Sequence, residues 1–249
     1  MGTNVAAVIL AAGLGTRMKS DKAKVLHPLL GRPMISYVLE TAAGVAEENV
    51  LVIVGHQAEA VMHICSAAIP GVRFAHQERQ LGTGHAVLCA MPGIPESVEH
   101  VLILCGDVPL LRKKTVARLL EDHRSNARTI SLLAVNVEQP RGYGRVVVDE
   151  KRNLSRIVEE ADASETEKEI TLINSGIYCV NREFLKLSLR QLTPDNAQGE
   201  FYLTDIIGIG YQRQEKMGVL VGEDNLEVSG VNSVDDLEFV ENVLKEKTI

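Results

Sequence analysis

The chain has 249 residues and a formal net charge of −7 at pH 7, with one acidic stretch at 159–169 and no other block of like charge. This balance argues against broad nucleic-acid binding, and the length suits one large domain or two small ones. The widely spaced cysteines form no CxxC pair, which argues against zinc, and the sequence shows no secretory context that would favour disulfides; they are Cys65, Cys89, Cys105 and Cys179. The N-terminal apolar run is too short for a signal peptide or a membrane span. A cytoplasmic enzyme without a membrane partner is therefore the simplest interpretation.

The first predicted element is a buried strand at 5–10 that leads into a glycine loop. Small residues after the strand let backbone N–H groups approach an anion, and they are Ala11, Ala12, Gly13 and Gly15. Cations follow at Arg17, Lys19, Lys22 and Lys24. Exposed amides beside fixed positive charge suit a polyphosphate, although a strand followed by GxG is also typical of an ordinary tight turn. The loop lacks the third glycine of the dinucleotide fingerprint and the Gly-Lys-Ser/Thr ending of the P-loop.

Short apolar runs and helical patterns alternate from this loop to residue 135. The predicted strands lie at 50–54, 72–75, 101–104 and 129–135. One helix is predicted to begin with Pro33 at its first position. Further helices are predicted at 58–67, 84–90 and 115–126. This alternation predicts a Rossmann-like α/β fold, with a mostly parallel sheet that helices cover on both faces. Ligands bind such sheets at the carboxyl ends of the strands.

Two polar segments fall at those strand ends. The first, QERQLGTGHA at 77–86, begins with Gln77, whose amide offers a donor and an acceptor that match the O4 and N3–H edge of uracil. Gly82 and Thr83 then offer a flat backbone for a base, while the plainer interpretation is a polar loop with a threonine helix cap. The second segment places Asp107 directly after a strand that ends in glycine. Asp107 alone suggests a turn or a helix cap, but beside a phosphate loop it suggests a magnesium ligand.

A smaller β-rich region is predicted after residue 135. Strands at 146–148 and 154–158 are joined by a turn at 149–153. Glu159 ends the second strand, and Asn174 opens a third apolar run at 177–180. Each has a plain interpretation, Glu159 as an edge-strand charge and Asn174 as a turn former. The acidic segment 161–170 lacks apolar periodicity and is expected to be a mobile loop.

The remaining elements end in a closing helix. Helices are predicted at 184–192, 203–212 and 233–245, strands at 218–221 and 227–231, and a polar loop at 193–200. Asn232 stands directly before the closing helix, and flanking that helix is its simplest role. Its side-chain oxygen is also the type that binds a hard cation.

Eight ordered strings carry a resemblance to a known family over essentially the whole chain. They are LAAGLGTRM with Lys24, QLGTGHA, GDVPLL, GYGR, IVEEADA, INSGIY, NAQGEFYLTDII and GVN. The chain resembles the sugar-phosphate nucleotidyltransferases, and among them the uridylyltransferase domain of the bacterial bifunctional enzymes that make UDP-N-acetylglucosamine. The resemblance implies a glycosyltransferase-A-like fold and a Mg²⁺-dependent transfer of UMP from UTP to N-acetylglucosamine 1-phosphate. It leaves the oligomeric state open.

The resemblance also implies roles for individual residues. The nucleotide-binding residues would be Leu10, Ala11, Ala12, Gly13, Lys24, Gln77, Gln80, Gly82 and Thr83. The sugar-binding residues would be Cys105, Gly106, Gly144, Glu159, Asn174 and Asn232. Arg17, Lys24 and Asp107 would be catalytic, and Asp107 with Asn232 would hold the magnesium ion. One domain, 1–249, would combine a nucleotide-binding part at 1–135 with a sugar-binding part and closing helix at 136–249, without an acetyltransferase β-helix domain.

Two positions depart from the family pattern. Ala23 stands where proline usually precedes the matched lysine, and Cys105 stands where an aromatic residue often precedes the Gly-Asp pair. Two other functions stay open, namely transfer involving another sugar 1-phosphate or nucleotide, and non-catalytic binding of a nucleotide sugar. A non-catalytic binder would be expected to lose Arg17, Lys24 or Asp107. All three are present, which favours the enzyme.

Overall fold

A nine-stranded mixed sheet forms the centre of the computed structural model, which describes residues 4–150 and 153–248. The strands are β1 (Val5–Ala11), β2 (Pro28–Leu29), β3 (Arg32–Pro33), β4 (Val50–Val54), β5 (Arg73–His76), β6 (His100–Cys105), β7 (Ile130–Asn136), β8 (Arg145–Val148), β9 (Leu154–Val158), β10 (Leu172–Asn181) and β11 (Met217–Val221). The helices are α1 (Met34–Ala46), α2 (Ala58–Ala68), α3 (Thr83–Ala90), α4 (Lys113–Ser125), α5 (Glu165–Lys168), α6 (Arg182–Ser188), α7 (Asp205–Gln212) and α8 (Val234–Thr248). β2 and β3 form a separate small hairpin.

The main sheet has the order β11-β7-β10-β6-β1-β4-β5, and β8 and β9 branch from β10. β1 is parallel to β4 and β6, β4 is parallel to β5, and β11 is parallel to β7. β10 runs antiparallel between β6 and β7. The predicted α/β class with a mostly parallel sheet is therefore confirmed. The carboxyl ends of β1, β4, β5 and β6 share one edge of the sheet, as ligand-binding α/β folds require.

Helices cover both faces of the sheet, which explains why its central strands are apolar throughout. All five residues of β4 are buried, as is typical of a parallel strand with helices on either side. Buried residues of α1, α2 and α4 pack on one face, and those of α3, α6 and α7 pack on the other. α8 joins a third cluster, in which Val240 packs with Met18, Leu29 and Leu110. This contact brings the end of the chain against the glycine loop.

Three predictions of local structure are wrong. The acidic segment is not a featureless loop, because α5 forms there behind a capping box in which Ser164 and Glu167 satisfy each other's backbone N–H groups. Residues 227–231 are not a strand, since a 3₁₀ turn at Asn225–Val228 occupies this position. Asn174 does not open a strand, because it lies inside β10 beside a bulge between Asn174 and Ile177. The predicted turn at 149–153 includes Lys151 and Arg152, which lie outside the described residues.

Among the described residues, no helix combines the length and apolar character that crossing a bilayer requires.

α4 carries a buried histidine that the fold keeps neutral. His123 is fully buried, its Nδ1 lies 3.0 Å from Ser131 Oγ, and its ring packs edge-on against His100 at 5.1 Å between centroids. Burial, and then the positive charges of His100, Arg128 and Arg124, lower the pKa of His123 from 6.5 to about 4. The unfolded chain therefore binds this proton more readily than the folded chain.

We predict that the folded protein loses stability as the pH falls below 6.5, the value for the unfolded histidine, towards the folded pKa of about 4. Proton linkage at this one site amounts to about 2 kcal/mol between pH 7.5 and pH 5. Urea unfolding at both pH values should show this loss in the wild type and a smaller loss in His123→Asn. His63→Asn, at an exposed position, is the matched control and should lose as much unfolding free energy between the two pH values as the wild type. If His123→Asn lost as much unfolding free energy as the wild type, His123 would not be the source of the pH dependence.

Candidate active site

A cleft of about 430 Å³ opens at the edge of the sheet where β1, β5 and β6 end. All nine residues predicted to bind the nucleotide line it, namely Leu10, Ala11, Ala12, Gly13, Lys24, Gln77, Gln80, Gly82 and Thr83. Cys105 and Asp107 lie on the same wall. The fold thus brings the glycine loop, the Gln77 segment and the end of β6 to one place.

The glycine loop closes tightly over Lys24. Gly15 has a φ of +63°, and a Cβ at this position would lie 2.7 Å from Lys24 Cβ. Only glycine allows both the backbone conformation and this approach. The short turn Thr16–Met18 follows and starts with a hydrogen bond from Met18 N–H to the Gly15 carbonyl, at 2.9 Å.

Lys24 lies between two side-chain oxygens from distant parts of the chain. Its Nζ donates to Asp107 Oδ2 at 2.5 Å and to Asn232 Oδ1 at 3.1 Å. Arg17 Nη2 donates to the same Asn232 oxygen at 2.8 Å. The predicted catalytic residues and both predicted metal ligands therefore meet in one cluster, with one carboxylate and one amide oxygen around a positive charge.

Backbone hydrogen bonds hold Asp107 and Asn232 in this position. Gly106 N–H donates to the Leu10 carbonyl, and Val231 N–H donates to the Asp107 carbonyl, both at 2.9 Å. Ser233 caps the start of α8, since its hydroxyl accepts from Asp236 N–H at 3.2 Å. Asn232 flanks the helix through its backbone, since its N–H donates to Asp236 Oδ2. Its side chain stays free to take part in the cluster with Lys24 and Arg17. Asp107 is no helix cap, because α4 begins only at Lys113.

Ala23 makes a contact that the family's usual proline could not make. Its backbone N–H donates to Gln57 Oε1 at 2.9 Å, and proline has no N–H. Gln57 Nε2 also donates to the Asp21 carbonyl at 2.8 Å, so one side chain braces both sides of the segment before Lys24. Sequence reasoning missed Gln57, because no local motif marks a partner 34 residues away.

The structure changes what Gln77 can offer a base. The side chain is buried, its Nε2 donates to the Gly82 carbonyl at 3.0 Å, and the same nitrogen lies 3.1 Å from His85 Nδ1. A carbonyl only accepts, so this contact fixes the amide orientation and leaves Oε1 as the group that can accept from a ligand. Thr83 is not the helix cap considered above, because its hydroxyl accepts from Leu203 N–H at 3.1 Å.

The sugar-binding candidates of the second half form a group of their own. Asn174 N–H donates to the Gly144 carbonyl at 2.8 Å, and a Cβ on Gly144 would lie 3.2 Å from Glu159 Oε2. Asn174 Oδ1 accepts from Gly176 N–H and from the Tyr178 hydroxyl, each at 2.9 Å. The amide Nδ2 of Asn174 is therefore the group available to donate to a ligand, which a simple turn former would not need.

Cys105 and Gly106 join this group to the nucleotide cleft. Cys105 lines the cleft, and its thiol donates to the Gly176 carbonyl beside Asn174 at 3.5 Å. Burial, and then the Asp107 carboxylate, raise the pKa of Cys105 to about 12, so the thiol stays protonated at neutral pH. Gly106 packs against β1, where a Cβ would meet the Leu10 carbonyl oxygen at 2.9 Å.

Glu159 is a carboxylate that its surroundings disfavour. Burial is the largest cause that raises its pKa, and the charges of Asp205, Asp162 and Glu200 add to it, while a hydrogen bond opposes the rise. That bond comes from the buried Thr204 hydroxyl, at 3.2 Å from Glu159 Oε1. Thr204 was not found from the sequence, where it is one polar residue beside a helix. Glu159 is thus more than an edge-strand charge, and such perturbed groups are enriched at functional sites.

The sequence profile of the MobA-like NTP transferase domain matches residues 7–171, which include the glycine loop, Asp107, Gly144 and Glu159. The chain belongs to this family. A nucleotidyltransferase must bind nucleotide phosphates, and the glycine loop and the cation cluster offer backbone N–H groups and positive charge for that purpose.

Several proteins that resemble this NTP transferase in sequence carry the name bifunctional protein GlmU. The protein of Desulfotalea psychrophila is 45% identical over 97% of this chain and 70% of its own length. That of Pelobacter propionicus is 48% identical over 98% of this chain and 53% of its own length. A third, from Geotalea uraniireducens, is 48% identical over 92% of this chain, which spans half of that relative. The predicted resemblance is thus confirmed, and the chain matches only part of each of these relatives.

A solved structure from Bacillus anthracis, described as a glucose-1-phosphate thymidylyltransferase in complex with sucrose, has the same fold. It superposes with a TM-score of 0.73 over 97% of this chain and 96% of its own, at 18% identity.

We predict that Glu159→Gln does not lower the stability of this NTP transferase at alkaline pH. A carboxyl whose pKa rises on folding contributes less stability as the pH rises through that folded pKa. The glutamine keeps an oxygen for Thr204 but removes the disfavoured charge, so its urea midpoint at pH 8 should equal or exceed that of the wild type. Glu165→Gln, at an exposed position in α5, should leave the midpoint unchanged. A clearly lower midpoint for Glu159→Gln would mean that the ionised carboxylate stabilises the fold.

Proposed function

We propose that this NTP transferase transfers UMP from UTP to N-acetylglucosamine 1-phosphate, giving UDP-N-acetylglucosamine and pyrophosphate. One observation carries the proposal, namely that Arg17, Lys24, Asp107 and Asn232 converge beside the cleft that the glycine loop lines. The relatives named bifunctional protein GlmU support the choice of reaction within the family. A second activity of those longer relatives is not part of the proposal.

The reaction needs no protein nucleophile. An oxygen of the sugar 1-phosphate attacks the α-phosphorus of UTP in line, a P–O bond forms, and the bond to the departing pyrophosphate breaks. Catalysis then depends on positioning and on neutralising the charge that builds on the phosphate oxygens. The glycine loop supplies backbone N–H groups, and Arg17 and Lys24 supply the positive charge. Each cation now contacts Asn232 Oδ1 and would turn towards phosphate oxygens.

The donor set fits a magnesium ion. Asp107 Oδ2 and Asn232 Oδ1 already converge on one positive charge, the Lys24 ammonium. Magnesium typically takes one or two protein carboxylates and completes its shell with substrate phosphates and water. Within the described part of the chain, no group of three or more His, Cys, Asp or Glu side chains could hold a metal alone, which suits an ion that binds together with a nucleotide. When bound, magnesium would neutralise phosphate charge and orient the phosphate oxygens.

The acceptor site suits an N-acetylated sugar. Asn174 Nδ2 can donate to an acetamido carbonyl, and the Glu159 carboxylate can accept from sugar hydroxyls. Both lie against the Gly144 backbone, where a side chain would crowd Glu159. The rival functions receive less support, since a non-catalytic binder has no need for Arg17, Lys24 and Asp107 in one cluster.

The first test is substrate preference. Glucose 1-phosphate lacks the acetamido carbonyl and would leave the Asn174 amide without its hydrogen bond. The value of kcat/KM with N-acetylglucosamine 1-phosphate should therefore exceed that with glucose 1-phosphate by roughly 10-fold or more. Pyrophosphate release with UTP and magnesium measures both values, and CTP, ATP and dTTP should be poorer donors than UTP. Equal rates, or a preference for glucose 1-phosphate, would refute the proposed acceptor.

The second test concerns Asp107. Asp107→Ala removes a proposed magnesium ligand at the end of a strand, so kcat should fall by roughly 100-fold or more while the circular dichroism spectrum stays that of the wild type. Asp235→Ala serves as the control, because Asp235 is exposed in the first turn of α8, three residues after Asn232. Near wild-type turnover by folded Asp107→Ala would remove Asp107 from the catalytic site.

A further inference from the structure

Arg145 is a buried charge beside the proposed sugar site that the reaction itself does not use. It is 1% exposed, although it ends the GYGR string and starts β8. In the sheet it lies opposite Val158 of β9 and Ile173 of β10. These partners directly precede Glu159 and Asn174, so Arg145 lies at the junction of the strands that carry the sugar-binding candidates.

The guanidinium binds three segments at once. Its Nη1 donates to the Tyr143 carbonyl, and its Nη2 donates to Glu160 Oε2 at 2.7 Å. The same Nη2 lies 3.4 Å from the Lys168 carbonyl at the end of α5. A planar fork with several N–H groups can make such contacts together, whereas a single ammonium cannot keep this geometry.

Glu160 extends the contact to the turn that precedes Gly144. Its Oε2 also accepts from Gly142 N–H at 3.1 Å, and Gly142 has a φ of +87° that favours glycine. The hydrogen bond from Arg145 is the main cause that lowers the pKa of Glu160, so this carboxylate stays charged. Arg145 and Glu160 therefore clamp the 142–144 turn to the end of β9.

We propose that Arg145 is a positioning residue for the acceptor sugar, and that it acts through this clamp on Gly144 and Glu159. Tyr143, whose carbonyl it binds, directly precedes Gly144, and Glu160 directly follows Glu159. The space between Gly144 and the Glu159 carboxylate is narrow, since a single Cβ there would lie 3.2 Å from Glu159 Oε2. A small shift of either side would change the sugar site and leave the nucleotide cleft unchanged. The inference rests on the function proposed above.

Burying the Arg145 guanidinium is costly, because its partner Glu160 is 34% exposed and apolar residues of similar volume often stabilise a protein as well or better. The buried Nε of Arg145 also has no hydrogen-bond partner, which adds to the cost. Contacts to two carbonyls and one carboxylate fix the orientation of the backbone. This geometry is what an apolar residue could not supply.

The test compares binding of two ligands by calorimetry, in the presence of magnesium. Arg145→Met should weaken binding of UDP-N-acetylglucosamine by about 10-fold while the Kd for UTP stays within about 2-fold. Arg145→Lys should lie between Arg145→Met and the wild type. Should Arg145→Met fail to fold, Glu160→Gln, at a partly exposed position, should show the same selective loss in smaller degree. In turnover, KM for the sugar 1-phosphate should rise and KM for UTP should not.

The control is Arg156→Ala. Arg156 lies on neighbouring β9, forms an ion pair with Glu167 at 2.6 Å and is exposed, so its removal should leave both Kd values unchanged. Equal weakening of both ligands by the Arg145 and Glu160 variants, or no weakening, would overturn the positioning role. A wild-type protein that binds UTP but not UDP-N-acetylglucosamine would instead refute the proposed function, and the role of Arg145 would fall with it.

Discussion

The Lys24 ammonium, held between Asp107 and Asn232, is the interaction on which the site depends. It joins the segment after the glycine loop, the turn after β6 and the segment before α8. A partly buried charge is tolerated only when it is paired, so each of these segments needs the other two. In the proposed function, the same ammonium and carboxylate would bind a nucleotide phosphate and a divalent cation. The folded chain thus pairs internally the charges that it would later present to substrate.

The proposed sugar site has the opposite electrostatics, because its central charge is not paired with a cation among the described residues. Its central group, Glu159, is a carboxylate among other acids, in a position where folding disfavours its charge. A disfavoured acceptor is useful only if it is held in place, and here Thr204 holds one oxygen while the Arg145–Glu160 clamp holds the adjacent backbone. The two groups of residues therefore differ, since charge pairing stabilises the Lys24 cluster, whereas hydrogen bonds around Glu159 fix its position without removing its unfavourable charge.

Much of the fold could be read from the sequence, because buried parallel strands are short apolar runs between glycine and polar turns. β4 shows this most clearly, since all its residues are apolar and all are buried. The strand predicted at 227–231 was wrong, because Val228 and Val231 do not face one core as in a strand but pack into separate clusters. The residues that the motifs predict to bind a nucleotide all line one cleft, while their binding role stays a prediction. Gln57, Thr204 and the orientation of the Gln77 amide could not be predicted, since each depends on a tertiary contact without a local pattern.

The long separation between Lys24 and Asn232, 208 residues along the chain, has a consequence for biosynthesis. A ribosome synthesises Lys24 well before Asn232, so a nascent chain can fold much of its sheet before the cluster exists. During that interval Lys24 and Arg17 lack their amide partner, Asn232. The centre becomes complete only when α8 packs against Met18 and Leu110. The cluster therefore forms only after α8 has been synthesised and has packed against these residues.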